Sequence, residues 1–190
     1  EWKSLIQKAL SQETRLKVII SNLVDISKME VGKLTFQFER FPVQEFLDEC
    51  IDNALLGEPA RSVTRDYHLG GITLRADRIR VGQVMNNLLS NAFKYSPGDR
   101  PVIVSAHADA SRLIVSVEDF GPGIEAAHTE KIFNLFFRSN QTEGVPGMGV
   151  GLYISQQIIG AHEGKLWVKT EKGKGAAFFF SLPLEGISER

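Results

Sequence analysis

Hydrophobic positions along this chain follow two regimes. From Trp2 to about Glu30 there is neither Gly nor Pro, and Leu5, Ala9, Leu16, Ile19, Leu23 and Ile26 recur in alternating steps of four and three. Gln12 is the polar exception, and a second seam runs through Ile6, Leu10, Ile20 and Val24. Such spacing predicts one long helix with a stripe too wide for a two-stranded zipper, so a four-helix bundle fits better. A second copy, a segment beyond this chain, or both would cover the stripe. Docking of the helix on its own neighbouring domain is the alternative.

After Gly32 the period shortens and turn residues appear. Residues 34–41 alternate Leu, Phe and Phe on one side and predict a strand; Pro42 precedes a helix at about 43–56. Short strands are expected near 62–67 and 72–76. Asp77 is a plausible cap for a helix that Pro97-Gly98 ends. Segments 101–109 and 111–119 predict a hairpin turning at Asp109-Ala-Ser111. A helix at about 150–162 and closing strands at 164–170 and 176–182 follow. This mixture predicts an α+β fold, a two-layer α/β sandwich with helices on one face of a mixed sheet, preceded by the long N-terminal helix. The polar, Gly-containing stretch 139–149 has the length of a lid.

Composition sets limits. The chain has 190 residues, 43% hydrophobic, enough for one full domain and an accessory element. Its 22 basic and 23 acidic residues give a net charge of −1, which leaves no electrostatic footprint for nucleic acid. The single cysteine, Cys50, falls in a helical pattern and predicts a core thiol, which suits a reducing, cytoplasmic setting. No run approaches the roughly 18 apolar residues of a membrane span, so membrane attachment is expected only through regions N-terminal to this chain.

The chemistry concentrates in the run 86–97. Asn87, Asn91 and Lys94 share one stripe of the predicted helix, while Val81, Val84, Met85, Leu88, Leu89 and Ala92 form the face to be buried. Amide oxygens suit a hard cation such as Mg²⁺, and an ammonium suits phosphate oxygens. Solvated Asn and Lys on a helix are common, so the stripe alone does not decide. Downstream stand EDFGPGI (118–124), KIFNLFFR (131–138), GVPGMGVGLYIS (144–155) and TEKGKGAAFFFSLPL (170–184). Singly these read as a turn, core phenylalanines, a helix start and a hairpin turn.

Together, in this order, they resemble the N box, first glycine box, F box, second glycine box and third glycine box of the histidine kinase ATP-binding domain. That domain belongs to the gyrase, Hsp90, histidine kinase and MutL superfamily, and the resemblance spans roughly residues 34 to 184. It implies a Bergerat-type sandwich that binds ATP with Mg²⁺. Asp119 is implied as the acceptor of the adenine amino group, a choice that disfavours guanine, whose oxygen would leave the carboxylate unpaired. Gly121 and Gly123 would shape that pocket, with Ile124 and Tyr95 lining it; Tyr95 reads equally as a core aromatic. Asn91 is implied as the Mg²⁺ ligand, with Asn87 supporting the metal or a phosphate. Lys94 and Arg138, beside Phe137 of the F box, would meet phosphate oxygens. Gly147, Gly149 and Gly151 would bring backbone amides to a helix start, which Leu152 continues. Met148 and Ala176 depart from commoner Leu and Thr.

Related hydrolases place a glutamate one turn before the Mg-binding asparagine. Here that residue is Asn87, which is no general base. The implied activity is ATP-dependent transfer of the γ-phosphoryl group to a histidine, for relay to a response regulator aspartate. The first helix resembles, over 15–34, the second helix of the dimerisation hairpin, which implies a homodimer. No His-Glu-x-x-x-Pro occurs, and His68, His107, His128 and His162 sit in strand-like, turn or helix-end contexts, so the phosphoacceptor lies outside this chain. The domains expected are 1–33 for that helix, 34–186 for ATP binding and 187–190 as a tail. An ATP hydrolase or a non-catalytic nucleotide-binding module is the alternative.

Overall fold

The computed structural model describes residues 2–109, 111–138 and 148–184. The chain forms two compact units, Glu1–Thr35 and Phe36–Arg190. The first unit is helix α1 (Trp2–Glu30), closed at its end by a turn in which the Gly32 and Lys33 amides donate to the Met29 and Lys28 carbonyls. Gly32 adopts a φ of 62° there, as a helix-terminating glycine does. Ile6, Leu16, Ile20, Leu23 and Val24 of α1 are all exposed. Among the described residues no helix is long and apolar enough to cross a membrane.

The second unit holds strand β1 (Glu39–Pro42), helix α2 (Val43–Gly57), strands β2 (Val63–His68) and β3 (Thr73–Ala76), and helix α3 (Arg78–Tyr95). Strands β4 (Val102–Ala108) and β5 (Arg112–Asp119), helix α4 (Gly151–Ala161), and strands β6 (Lys165–Glu171) and β7 (Gly175–Pro183) complete it. Two short 3₁₀ turns, Ala126–His128 and Lys131–Phe133, lie between β5 and α4.

The main sheet runs β2-β4-β5-β7-β6. β2 lies parallel to β4 and the other pairs are antiparallel, so the sheet is mixed. Val102, Val104 and Ala106 of β4 alternate inward with Leu113, Val115 and Val117 of β5, and this face receives the helices. α3 packs on β4 and β5, and α4 packs on β6 and β7. On the other face Trp167 stacks on Phe179, ring centroids 5.3 Å apart. The α+β sandwich with helices on one face of a mixed sheet is therefore the fold observed.

Local chemistry explains the boundaries. Asp77 caps α3, its Oδ1 accepting the Arg80 amide at 3.0 Å, which contributes about 1 kcal/mol. At the other end Arg61 donates to the carbonyls of Phe93, Ser96 and Pro97, occupying acceptors that a helix end leaves open. Asp109 turns the β4–β5 hairpin by accepting the amides of Ser111 and Arg112, both at 2.8 Å. Cys50 is buried on α2, and burial pushes its thiol up to about 12, so it is an inert core group.

One expected strand is shorter than the alternation of 34–41 suggests. Only Glu39–Pro42 pairs, against Thr73–Ala76. The Gln37 amide is taken instead by the Asp77 carboxylate at 2.8 Å, and Phe36 and Phe38 pack on the His162 ring. Alternation there records packing on an imidazole rather than a sheet ladder.

Candidate functional site

Asp119 is the last residue of β5 and is only 5% exposed. Its Oδ1 accepts the Gly121 amide at 2.8 Å, and the Ala176 amide of the neighbouring strand also donates to the carboxylate. Burial nevertheless pushes the carboxyl above its ordinary range, with Glu118 adding to the effect. A buried carboxylate held by two amides keeps further lone pairs for a donor that arrives from outside.

Glycines make room around it. A Cβ at Gly121 would lie 2.6 Å from the Tyr95 carbonyl oxygen. Gly123, at φ 70°, lies so close to the Glu171 carbonyl that a side chain would collide with it. The loop is then fastened to the turn between β6 and β7. The Ile124 amide donates to Thr170 Oγ1 at 2.9 Å, and that hydroxyl donates to the Gly175 carbonyl at 2.8 Å. Gly173 N–H donates to the Pro122 carbonyl at 2.7 Å. Ser96 joins from the end of α3, its Oγ accepting the Phe120 amide at 3.3 Å.

Tyr95 connects this loop with the charged residues. Burial raises its phenol, Arg138 opposes the rise and Asp119 adds to it, so both charged groups lie within electrostatic reach of the ring. The Lys94 ammonium lies 4.9 Å from the centre of the Tyr95 ring. Asn87, Asn91 and Lys94 fall on one side of α3 at helical spacing, while Val81, Val84, Met85, Leu88, Leu89 and Ala92 are buried.

α4 begins against that stripe. Asn87 Nδ2 donates to Ser155 Oγ at 3.0 Å, and a Cβ at Gly151 would run into Asn87 Oδ1. Gly151 is therefore glycine because an asparagine side chain lies against it. Gly149 has a different reason: its φ is 71°, and a Cβ would sit 2.5 Å from the Phe137 carbonyl. Its neighbour Phe136 is exposed at a φ of 62°, and the Phe137 ring meets His128 at 5.4 Å. Leu152 is half-buried in the first turn of α4. Gly147 lies outside the described residues.

Thus Asp119, Gly121, Gly123, Ile124 and Tyr95 gather around the glycine loop after β5, with Arg138 in electrostatic reach of Tyr95. Asn87 meets Gly151 and Ser155 at the α3–α4 junction, one turn of α3 from Asn91, and Leu152 follows Gly151 in the chain. The residues that sequence reasoning missed are Ser96, Ser155 and Thr170. Each is a hydroxyl inside a helix end, a helix or a strand, and only its partner marks it out. A separate cleft of about 560 Å³ between α2 and α3, lined by Asn53, Glu58, Asn86, Ser90, Phe93 and Lys94, shares only Lys94 with these groups.

Among the described residues no group of three or more His, Cys, Asp and Glu could hold a metal ion. The available donors are neutral amides, which suit Mg²⁺ when phosphate oxygens supply the remaining ligands.

Known proteins resemble this chain. The chain is 32% identical over 183 residues to the adaptive-response sensory kinase SasA of Thermosynechococcus vestitus, covering 95% of this chain and 48% of that protein. It is 30% identical over 179 residues to the sensor protein kinase WalK of Staphylococcus saprophyticus, covering 92% of this chain and 29% of that one. The chain thus spans about half or less of the length of these curated relatives. Among solved structures, a mycobacterial sensor histidine kinase, MprB, superimposes with a TM-score of 0.67 at 26% identity, over 77% of this chain and 97% of that one. The family described as histidine kinase-, DNA gyrase B- and HSP90-like ATPase matches residues 76–186, more than half of the sequence, and this chain belongs to it.

Proposed function

We propose that this chain is the ATP-binding core of a two-component sensor histidine kinase, which transfers the γ-phosphoryl group of Mg-ATP to a histidine on a partner helix. The observation that carries the reading is Asp119, a buried residue at a strand end with Gly121 beside its carboxylate and Gly175 against its backbone carbonyl. Ionised, it accepts the amino group of adenine. The half-buried Tyr95 and Ile124 would flank the base. Asn91 would hold Mg²⁺ by its carbonyl oxygen, with Asn87 beside it. Lys94 and Arg138 would neutralise phosphate oxygens, and the N–H groups at the start of α4, around Gly149 and Gly151, would bind a phosphate.

The bound Mg²⁺ would neutralise charge on the phosphates. The chain's own contribution is to orient the nucleotide and stabilise charge, on which phosphoryl transfer mainly depends. At position 87 an amide replaces the base that would activate water, so an imidazole supplied from outside is the acceptor that fits. The exposed apolar side chains of α1 support a homodimer built on a helical bundle, which would carry that histidine. A response regulator receiver domain is the next acceptor, in the cytoplasm.

The test is direct. The chain is mixed with a separately produced histidine-bearing helical domain of a related kinase and with γ-labelled ATP. Acid-labile, alkali-stable label on the helical domain is the expected result. Saturable nucleotide binding with no such label would overturn the kinase reading, and no binding at millimolar nucleotide would overturn the ATP site.

A further inference from the structure

The Asn87–Ser155 contact joins the two helices that carry the phosphate side of the site. Ser155 is only 2% exposed and sits on α4 one turn after Gly151, so both residues face α3. The Asn87 side chain spans that turn. Its Nδ2 donates to Ser155 Oγ at 3.0 Å, and its Oδ1 is seated against Gly151.

This orientation of the amide is favoured on two counts. The hydroxyl offers an acceptor to the NH₂ end. The first turn of α4 presents unpaired N–H groups and the positive end of the helix dipole, which favour the carbonyl and disfavour an amino group. Gly151 lets the two helices approach until the amide fills the gap. Asn91 follows Asn87 by one turn of α3, so the Asn87 contact sets how far Asn91 stands from the N–H groups that begin α4.

We infer that Ser155 is a positioning residue for the nucleotide site: through Asn87 it fixes the spacing between the asparagine wall on α3 and the phosphate-binding start of α4. This inference rests on the ATP-core reading above. It assigns Ser155 no contact with nucleotide. It predicts a selective defect, because the triphosphate spans both helices whereas the base is held by Asp119 and the glycine loop.

The experiment compares ATP with Mg²⁺ against adenosine, by calorimetry, on wild-type chain, Ser155→Ala and Ser155→Cys. Cysteine keeps the shape and is a poor acceptor, so it controls for packing. Both variants are expected to lose roughly five- to tenfold in ATP affinity, the scale of one lost hydrogen bond, and to bind adenosine as wild type does. In an Asn87→Ala background, Ser155→Ala is expected to have no further effect on ATP. If both Ser155 variants bind ATP like wild type, the inference falls while the ATP-core reading stands. Equal losses for ATP and adenosine would mean general loosening and also overturn it. Failure of the wild type to bind ATP removes the reading itself, and the inference with it.

Discussion

His162 Nε2 accepts the backbone N–H of Asp77 at 3.0 Å, across 85 positions of sequence. On the other side of the ring, Nδ1 lies 2.7 Å from the Ile158 carbonyl. Both partners are fixed backbone groups, so the neutral tautomer with its proton on Nδ1 is the one that satisfies them. The Phe36 and Phe38 rings close over the imidazole at 5.3 and 5.0 Å. One side chain thus binds the end of α4, the start of α3 and the segment that enters the second unit.

Burial holds the His162 pKa below its ordinary 6.5, and a second proton on Nε2 would face the Asp77 N–H directly. Above pH 6.5 the folded and unfolded states bind the same number of protons here. Below it the unfolded state takes one up first, so stability falls as the pH drops through the window beneath 6.5. Urea unfolding across that range should show the fall. His162→Phe should abolish the part of the slope this residue supplies, and at pH 8 it should cost roughly 1–3 kcal/mol, because the buried Asp77 N–H loses its partner.

Asp119 has the opposite shift, and the sign of its linkage follows. Its pKa is raised in the folded chain, so folding stability falls as pH rises from the unfolded value of 3.8 and levels off above the folded one. Adenine needs the ionised form. ATP affinity should therefore weaken as pH falls through the raised pKa, with proton release on binding in that range, measurable by calorimetry in buffers of different ionisation enthalpy. Asp119→Asn should lose at least ~1 kcal/mol of ATP affinity and show no such pH dependence.

Asn91→Ala should weaken ATP binding more in the presence of Mg²⁺ than in EDTA. The lost group is a carbonyl ligand, which has little to do for nucleotide without the metal. Equal losses in both conditions would remove Asn91 from the metal.

Thr170→Val keeps the shape and deletes the hydroxyl that Ile124 and Gly175 share. The expected cost is roughly 1–3 kcal/mol in thermal or chemical unfolding, with weaker adenosine binding as the glycine loop loses its anchor. Adenosine affinity equal to wild type would show that the loop holds its place without Thr170.

Much of this architecture is legible in the chain itself, and the reasons differ by element. The cap at Asp77, the turn at Asp109 and the buried face of α3 depend on neighbours within a few positions, so periodicity and turn chemistry predict them. The segment 34–41 misleads because alternation encodes which side is buried and not what covers it. His162 is readable as a helix end, but its bond to Asp77 is set by tertiary packing alone. Ser96, Ser155 and Thr170 have no local signal for the same reason. Gly151 shows the limit from the other side: its place in a glycine cluster suggests a phosphate, and the structure adds an asparagine that needs the space.

The order of the sheet has a consequence for biosynthesis. β7, the last strand of this sheet in chain order, lies inside the sheet between β5 and β6, and it brings the Ala176 amide to Asp119. On a ribosome, residues 39–171 emerge with the middle of their sheet missing, leaving open edges on β5 and β6 that invite pairing with other chains. Truncation before Gly175 would leave the same gap permanently. The wall proposed for adenine at Asp119 would then be complete only after residues 175–183 have been made, which places acquisition of the ligand behind the synthesis of β7.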